Sequence, residues 1–435
     1  MKKQLQLDEN GKRKFGMLDK VAYAAGDFGC NMSFALKGTV QTFWLVYMYM
    51  EIGLLSALVL VTQIWDAIND PLIGSMIDND KRKYKMGKFK SYIFIGACGL
   101  LLAGALVFLP LPESIRLSQD TFQVVVKSIV FILAYVIWDA CYTVANVPYG
   151  SMLSLVSNDK VEQAELSTWR SIGSMVGNML PVIILPRLIW KNIKYDGSGM
   201  IPDLDGAYHN NPLTGDAYEM GEQMLNPLTG AKVQVLLGER MFWAALIMGV
   251  LGFIAFLFMI KKITVRVDEN SVKTNESGEK FNVFNSFGKF IKNRPAVGAT
   301  IAAMGMFLGM QSATTANTIM FATYFGMAEL SGVVQLIGFL PMFLFMPFIK
   351  RIVEKYGKKE ASVAGTLASI AGGLVMLLFP LFRNQTILSL VVYMIGLIIF
   401  GVGMGVYTCV SWAMIGDAID YNEWKFGTRE EGMVY

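Results

Sequence analysis

The chain has 435 residues, of which 54% are hydrophobic and 17% charged, and its mean hydropathy is +0.45. In a soluble protein of this length about a quarter of the residues are charged, so the composition favours a protein built from membrane helices. The net charge of +4 is small, and the basic residues cluster in particular loops. This pattern is typical of a protein in a lipid bilayer, so we expect no nucleic-acid partner.

Residues 1–19 form a polar, basic arm without the apolar centre of a signal peptide, and we predict that this N-terminal arm is cytoplasmic. Ten apolar stretches follow, most of them near the length that crosses a bilayer. The predicted membrane helices cover residues 20–49, 54–77, 91–112, 122–153, 165–190, 240–261, 296–325, 331–349, 361–382 and 387–415.

Lysine and arginine cluster in alternate loops, which predicts an inside N-terminus and an even number of spans before each basic loop. Two similar basic loops, 79–91 and 350–362, follow the second helix of each predicted half. This repeat predicts two six-helix halves, 20–261 and 296–435, joined by a cytoplasmic linker at 262–295. Because the second half shows four helices, we expect the sequence to be truncated after helix 10, with helices 11 and 12 missing; a ten-helix protein is the alternative.

The predicted extracytoplasmic loop 191–239 is rich in Asp, Gly and Asn and contains the pentapeptide NPLTG twice, at Asn211–Gly215 and Asn226–Gly230. A repeat of this composition predicts a pair of turns in a small lobe. The lobe either covers a substrate pathway or is a loop decoration without a role in transport.

Two carboxylates, Asp66 and Asp70, lie one turn apart in the second predicted helix. A charge at mid-bilayer costs roughly 2.5–3.5 kcal/mol, and two acids on one face also repel each other. Asn69 adds an amide, and Pro71 leaves the carbonyl of Ala67 without its helical donor. These hard oxygen ligands suit an alkali or alkaline-earth cation and predict an ion-coupled transporter.

The alternative for these acids is a buried ion pair with a basic residue of another helix, such as Lys37 or Arg170. The fourth predicted helix carries a polar stripe of Asp139, Thr143 and Asn146 at helical spacing. Thr143 could complete a cation shell and Asn146 could bind a polar solute, or the stripe could serve interhelical hydrogen bonds.

The first predicted helix places Tyr23, Asp27 and Asn31 on one face. Asp27 either contributes to a solute site or pairs with a neighbouring helix. Arg170 is either an interfacial anchor or a group that holds sugar hydroxyls or an anion. Trp412 is suited to stacking on a sugar ring, although aromatics are also common at membrane interfaces.

Enzymatic chemistry has no support in the sequence. The four cysteines show no paired spacing, the only histidine, His209, lies in a hydrophilic loop, and no phosphate-binding Walker motif occurs. We therefore predict a transporter that is not an enzyme and has no cofactor beyond its coupling ion.

The segments VAYAAGDFGCN, IWDAINDPLIGSMIDN, YKMGKFK, YTVANVPYGS and GDAIDYNEWKFGTR resemble the glycoside–pentoside–hexuronide:cation symporters of the major facilitator superfamily. This resemblance implies an all-α fold of two six-helix halves around a central cavity, with sugar uptake coupled to Na⁺, Li⁺ or H⁺. It also implies that the cation ligands are Asp66, Asn69, Asp70 and Thr143.

The sugar site of the melibiose carriers in this family is matched only in part. Arg170 aligns with their sugar-binding arginine, whereas Asn31 and Asn146 replace aspartates and Gly150 replaces a tryptophan. Cys30 replaces a lysine, and Thr408 another tryptophan. These departures favour an acidic sugar such as a hexuronide over melibiose. The predicted substrate-binding residues are Asp27, Asn31, Tyr142, Asn146, Gly150, Arg170, Thr408 and Trp412.

The sequence thus predicts a monomeric inner-membrane symporter that takes up a sugar or glycoside with a cation, Na⁺ being favoured over H⁺ or Li⁺, by alternating access. The alternatives are a symporter of lysolipids or other amphiphiles and a membrane sugar sensor that does not transport. Intact acids at Asp66 and Asp70 argue against a sensor, which needs no coupling ion.

Overall fold

The computed structural model describes residues 12–80, 82–157, 159–201, 204–228, 230–267, 291–382 and 386–426. It confirms the predicted all-α fold, because each of the ten predicted segments contains a helix. The helices are α1 (Met17–Phe34), α2 (Lys37–Thr42), α3 (Ile52–Asn79), α4 (Lys88–Leu106), α5 (Glu113–Arg116), α6 (Thr121–Val156), α7 (Lys160–Ile189), α8 (Gly238–Lys262), α9 (Arg294–Thr323), α10 (Ser331–Tyr356), α11 (Lys358–Met376) and α12 (Thr386–Phe426).

Short elements complete the described structure. A π-helical turn (Phe43–Tyr47) continues α2, and 3₁₀ turns occur at Ala328–Leu330 and Phe379–Phe382. Strands β1 (Trp190–Asn192) and β2 (Gln234–Leu236) pair antiparallel and join the ends of α7 and α8.

Eight of the described helical segments are long and apolar enough to span a membrane. Along α3 the side chains of Leu60, Ile64 and Ile68 are more than half exposed, whereas Thr62 and Asn69 are buried. This is the reverse of a soluble helix and places the apolar side chains where lipid would lie. The eight segments are Ile52–Gly74, Lys88–Leu106, Thr121–Leu153, Glu165–Ile189, Gly238–Lys262, Arg294–Thr323, Lys358–Phe382 and Ile387–Thr408.

The first predicted helix is not continuous. The structure ends α1 at Phe34, turns through Ala35 and Leu36, and begins α2 at Lys37 before the π-helical turn. The polar residues of Lys37–Thr42 (KGTVQT) interrupt the apolar pattern at the break, and this was the sequence signal that the prediction of one continuous helix overlooked. The new helix begins at Lys37, and the ammonium group of this residue contacts Asp139 on α6.

The chain divides into two compact units. The first comprises Met1–Ile193 and Gln234–Thr274, where α1 packs on α7 and α8, and α6 packs on α3 and α4. The second comprises Lys194–Val233 and Asn275–Tyr435, where α12 packs on α9, α10 and α11. Most of the extracytoplasmic loop predicted from the sequence therefore groups with the second unit, while most of the linker predicted at 262–295 lies outside the described residues.

Glycines allow α1 and α7 to approach closely. A Cβ added at Gly173 would meet the backbone carbonyl of Ala24, and one at Gly177 would lie 2.8 Å from the carbonyl oxygen of Phe28. Small residues at a membrane helix interface permit this backbone contact. The approach brings the buried face of α1, which carries Asp27, against α7.

We expect Gly173→Ala to destabilise the first unit by about 1–3 kcal/mol, because the added methyl group overpacks a backbone contact. The matched control is Gly150→Ala on α6, where a new Cβ meets nothing within 4 Å. That change is expected to be neutral, or to stabilise by up to about 1 kcal/mol through helix propensity. Thermal unfolding in detergent measures both variants, and equal melting temperatures would contradict the packing argument.

The NPLTG repeat forms the same turn twice, at Asn211–Gly215 and at Asn226–Gly230. In each copy the asparagine side chain accepts a hydrogen bond from the leucine N–H two residues later, at 3.0 and 2.8 Å. The glycine N–H donates to the asparagine carbonyl at 2.8 and 2.7 Å, and the two glycines have φ angles of +82° and +70°. A left-handed residue closes each turn, so glycine is the residue that fits there.

Asp80 anchors the beginning of the basic loop that follows α3. Its carboxylate accepts hydrogen bonds from the hydroxyls of Tyr84 and Tyr92 and from the backbone N–H of Arg82. These donors stabilise the ionised form and lower the pKa of Asp80 to about 2. The carboxylate thus remains charged throughout the physiological pH range.

Candidate functional site

The structure places Thr143 beside Asp70, two residues that the resemblance assigns to one cation shell. The Thr143 hydroxyl lies 2.6 Å from Asp70 Oδ1 and also 3.2 Å from the backbone carbonyl oxygen of Asp139. Asp70 is exposed and Thr143 is buried, so the carboxylate lies at the edge of this polar group. The contact spans α3 and α6 within the first unit.

Asp66 faces a different partner. Its carboxyl group interacts at close range with the carboxyl group of Asp139 on α6, and its charge interacts with that of Lys37. Lys37 Nζ lies 3.0 Å from Asp139 Oδ1 and forms an ion pair there. The two acids of α3 thus meet two different groups across the helix interface.

Asn69 lies between these acids in the sequence and is 5% exposed. Its Nδ2 atom is buried without a hydrogen-bond partner among the described residues. A buried amide without a partner costs free energy, so a ligand that contacts this amide would recover it. Rotation of the amide would present Oδ1 instead of Nδ2 to such a ligand.

The donor set around Asp66, Asn69, Asp70 and Thr143 consists of oxygens and one amide. Within the described ranges, no three carboxylate, histidine or cysteine side chains gather at metal-binding spacing. Two carboxylates with one hydroxyl and one amide form a hard ligand set, which suits an alkali cation.

The basic residues considered as fixed partners for the acids of α3 have other partners. Arg170 Nε donates to Asp27 Oδ1 at 3.1 Å, and Lys37 pairs with Asp139. Among the described residues, no Lys or Arg nitrogen lies within 4.0 Å of the carboxylates of Asp66 or Asp70. Within the described part of the chain, a fixed ion pair therefore does not account for these two acids.

A second polar group joins α1 to α7. Asn31 Nδ2 donates to Asp27 Oδ2 at 3.1 Å, and Asn178 Nδ2 donates to Asn31 Oδ1 at 2.6 Å. Asp27 is 5% exposed, whereas the Arg170 side chain is 39% exposed. One edge of the guanidinium is thus held by Asp27, and the remainder is accessible to a solute.

Aromatic side chains surround this second group. Arg170 lies over the ring of Tyr149, 5.2 Å from its centroid, and Tyr149 stacks on Tyr23 with centroids 4.7 Å apart. The hydroxyls of the two tyrosines each donate to the other residue's backbone carbonyl. Both hydroxyls are therefore used in holding α1 to α6.

The remaining predicted sugar residues of α6 differ in their surroundings. Asn146 Oδ1 lies 3.8 Å from the Cys30 sulfur, and the ring of Tyr142 packs 5.8 Å from that of Phe34. Gly150 borders open space. A side chain could extend from this position without meeting a neighbour.

Thr408 and Trp412 belong to the second unit. The Thr408 hydroxyl donates to the carbonyl of Met404 at 2.8 Å and lies 3.5 Å from the sulfur of Met306. The side chain of Trp412 lies outside the described part of the structure.

Sequence reasoning missed Asn178, although a signal was present. Arg170, Ser174 and Asn178 follow each other at four-residue spacing and form a polar stripe along α7. Ser174 hydrogen-bonds to Asp27, and Asn178 to Asn31, so the stripe of α7 faces the stripe of α1.

The polar run of α9 forms a closed network in the second unit. Asn317 Nδ2 donates to Gln335 Oε1 and to the carbonyl of Ser331, both at 3.0 Å. Gln335 Nε2 donates to the Thr314 hydroxyl at 2.7 Å, and the Tyr393 hydroxyl donates to Asn317 Oδ1 at 3.2 Å. Because these groups satisfy one another, the network joins α9, α10 and α12.

Apolar helices with buried polar groups between them define a multi-pass membrane protein. Residues 22–435 match the MFS/sugar transport protein family, and the chain belongs to that family. This membership confirms the resemblance found in the sequence and supports a sugar or glycoside transporter.

Three similar proteins illustrate the match. An uncharacterized symporter, YnaJ of Bacillus subtilis (strain 168), is 28% identical over 99% of this chain and 80% of its own length. The glucuronide carrier protein homolog of Escherichia coli (strain K12) is 24% identical over 95% of this chain and 78% of its own length. The crystal structure of the nucleoside transporter NupG shares the fold, with a TM-score of 0.57 at 14% identity over 96% of this chain and 89% of that one.

Proposed function

We propose that this protein is a cation-coupled symporter that carries a sugar or glycoside into the cell through the inner membrane, with its N-terminus in the cytoplasm. The observation that carries the proposal is the polar group of Asp66, Asn69, Asp70 and Thr143. Its two carboxylates have no fixed basic partner within ion-pair distance among the described residues. A transported cation would neutralise them.

Sodium is the proposed ion. The Thr143 hydroxyl and the Asn69 amide supply neutral ligands beside the carboxylates, and such mixed oxygen shells suit an alkali ion. A proton would need only a carboxylate, so these neutral groups favour sodium over a proton.

The sugar is proposed to bind near Arg170. Its guanidinium retains donors that Asp27 does not use, and planar donors suit hydroxyl pairs and carboxylates. Asp27 already balances one charge, so any preference for an acidic sugar would rest on the free edge of the guanidinium. The E. coli relative named as a glucuronide carrier homolog supports testing hexuronides first.

Uptake of labelled glycosides by proteoliposomes containing the purified protein tests this function. We expect accumulation above equilibrium with an inward sodium gradient, and only equilibration when sodium is equal on both sides. A glucuronide is expected to compete better than a neutral galactoside. Protein-free liposomes are the control, and uptake that never exceeds equilibrium under sodium, lithium or proton gradients would contradict symport.

A further inference from the structure

Lys37 is a tethered positive charge beside the acids of α3. Its ammonium group lies 3.0 Å from Asp139 Oδ1, and its charge also interacts with that of Asp66. Two carboxylates therefore share the neighbourhood of one ammonium. In this structure the ammonium pairs with Asp139. In the described part of the chain, Asp66 has no Lys or Arg nitrogen within ion-pair distance.

Aromatic rings enclose the ammonium. Phe34, Tyr135, Trp138 and Tyr142 each place a ring centroid between 5.4 and 5.9 Å from Lys37 Nζ. Such rings stabilise a cation that has lost its water. They keep the charge of Lys37 at this place, within reach of the two carboxylates.

Asp139 has few partners besides the Lys37 ammonium and the neighbouring carboxyl group of Asp66. It is 1% exposed, and its Oδ2 atom has no hydrogen-bond partner among the described residues. A buried carboxylate with so few donors depends heavily on its ion pair. The ammonium of Lys37 is therefore bound tightly, and this keeps it from the neighbouring acid.

We propose that Asp139 restrains Lys37 so that the ammonium does not form an ion pair with Asp66. The Asp66 carboxylate is then left to bind the cotransported cation. This inference rests on the proposed cation coupling and adds Lys37 and Asp139 to it as positioning residues. Without the Asp139 charge, the ammonium would remain in its aromatic surroundings and pair with Asp66. It would then compete with an alkali ion for the same carboxylate.

The test is the sodium concentration that gives half-maximal uptake of a labelled glycoside in proteoliposomes. Asp139→Asn should raise this concentration about tenfold or more, because an ammonium close to a carboxylate competes strongly at reduced dielectric. The double variant Lys37→Met/Asp139→Asn removes the competitor and should return the value to within about threefold of wild type. Melting temperatures of all three proteins check that they are folded.

Two results would overturn the inference: an unchanged sodium requirement in Asp139→Asn, or a double variant that needs as much sodium as Asp139→Asn. A purely structural role of the pair would lower the maximal rate without moving the sodium requirement, which is the first of these results. The wild-type curve separates this inference from the function on which it rests. If wild-type uptake ignored every cation, the coupling itself would be wrong and the inference would fall with it.

Discussion

Asp70→Asn is expected to abolish accumulation of sugar against its gradient while sugar binding persists. Asparagine matches aspartate in shape and can still accept the hydrogen bond that Thr143 donates at 2.6 Å, so the packing of α3 on α6 is kept. The charge is lost, however, and removing one carboxylate from a cation site at reduced dielectric weakens cation binding on the order of 100-fold or more. Uptake with a sodium gradient, together with equilibrium binding of the same sugar, measures the two effects separately.

A suitable control is Asp216→Asn, which neutralises an exposed carboxylate outside the helices. This variant should transport like wild type, because its charge lies in solvent and contributes little. If Asp70→Asn accumulated sugar as wild type does, Asp70 would not belong to the coupling site, even though it contacts Thr143.

Arg170→Gln is expected to weaken sugar binding about 10- to 100-fold, since hydrogen bonds to a charged group are worth about 1.5–3 kcal/mol. The guanidinium donates to Asp27 through Nε and covers Tyr149, and its accessible part offers the remaining donors to a solute. The loss should be larger for a glucuronide than for a neutral galactoside. Sugar affinity is measured by competition against a labelled substrate.

The double variant Asp27→Asn/Arg170→Gln separates a role in binding from a role in stability. Arg170→Gln alone leaves Asp27, which is 5% exposed, without its ion-pair partner, and a buried charge without a partner destabilises the fold. Removing both charges should restore the melting temperature but not the affinity. If the double variant bound sugar like wild type, Arg170 would serve only to balance Asp27.

The sequence predicted what lies along a single helix better than what lies across an interface. Helical spacing placed Asp66 and Asp70 on one face of α3, because residues four apart are neighbours on a helix. It did not indicate that Asp66 would meet Asp139 while Asp70 meets Thr143. Those partners depend on the rotation and offset of α6 against α3, which no local pattern contains.

Asp27 illustrates the same limit. From the sequence it was equally suited to a solute site and to an ion pair, and the structure pairs it with Arg170. The pairing follows from the close approach of α1 to α7 at Gly173 and Gly177. Glycine is common in membrane helices, so its presence alone does not reveal which neighbour it contacts.

Each NPLTG turn is closed by hydrogen bonds within the pentapeptide, by a left-handed glycine and by a backbone hydrogen bond from the asparagine N–H to the residue that follows the glycine. A turn that is closed by local hydrogen bonds can be duplicated without altering the helices on either side. A short tandem duplication in the gene would therefore lengthen this segment while preserving the membrane scaffold. We therefore expect the length of this loop to vary more among relatives than the lengths of the described helices.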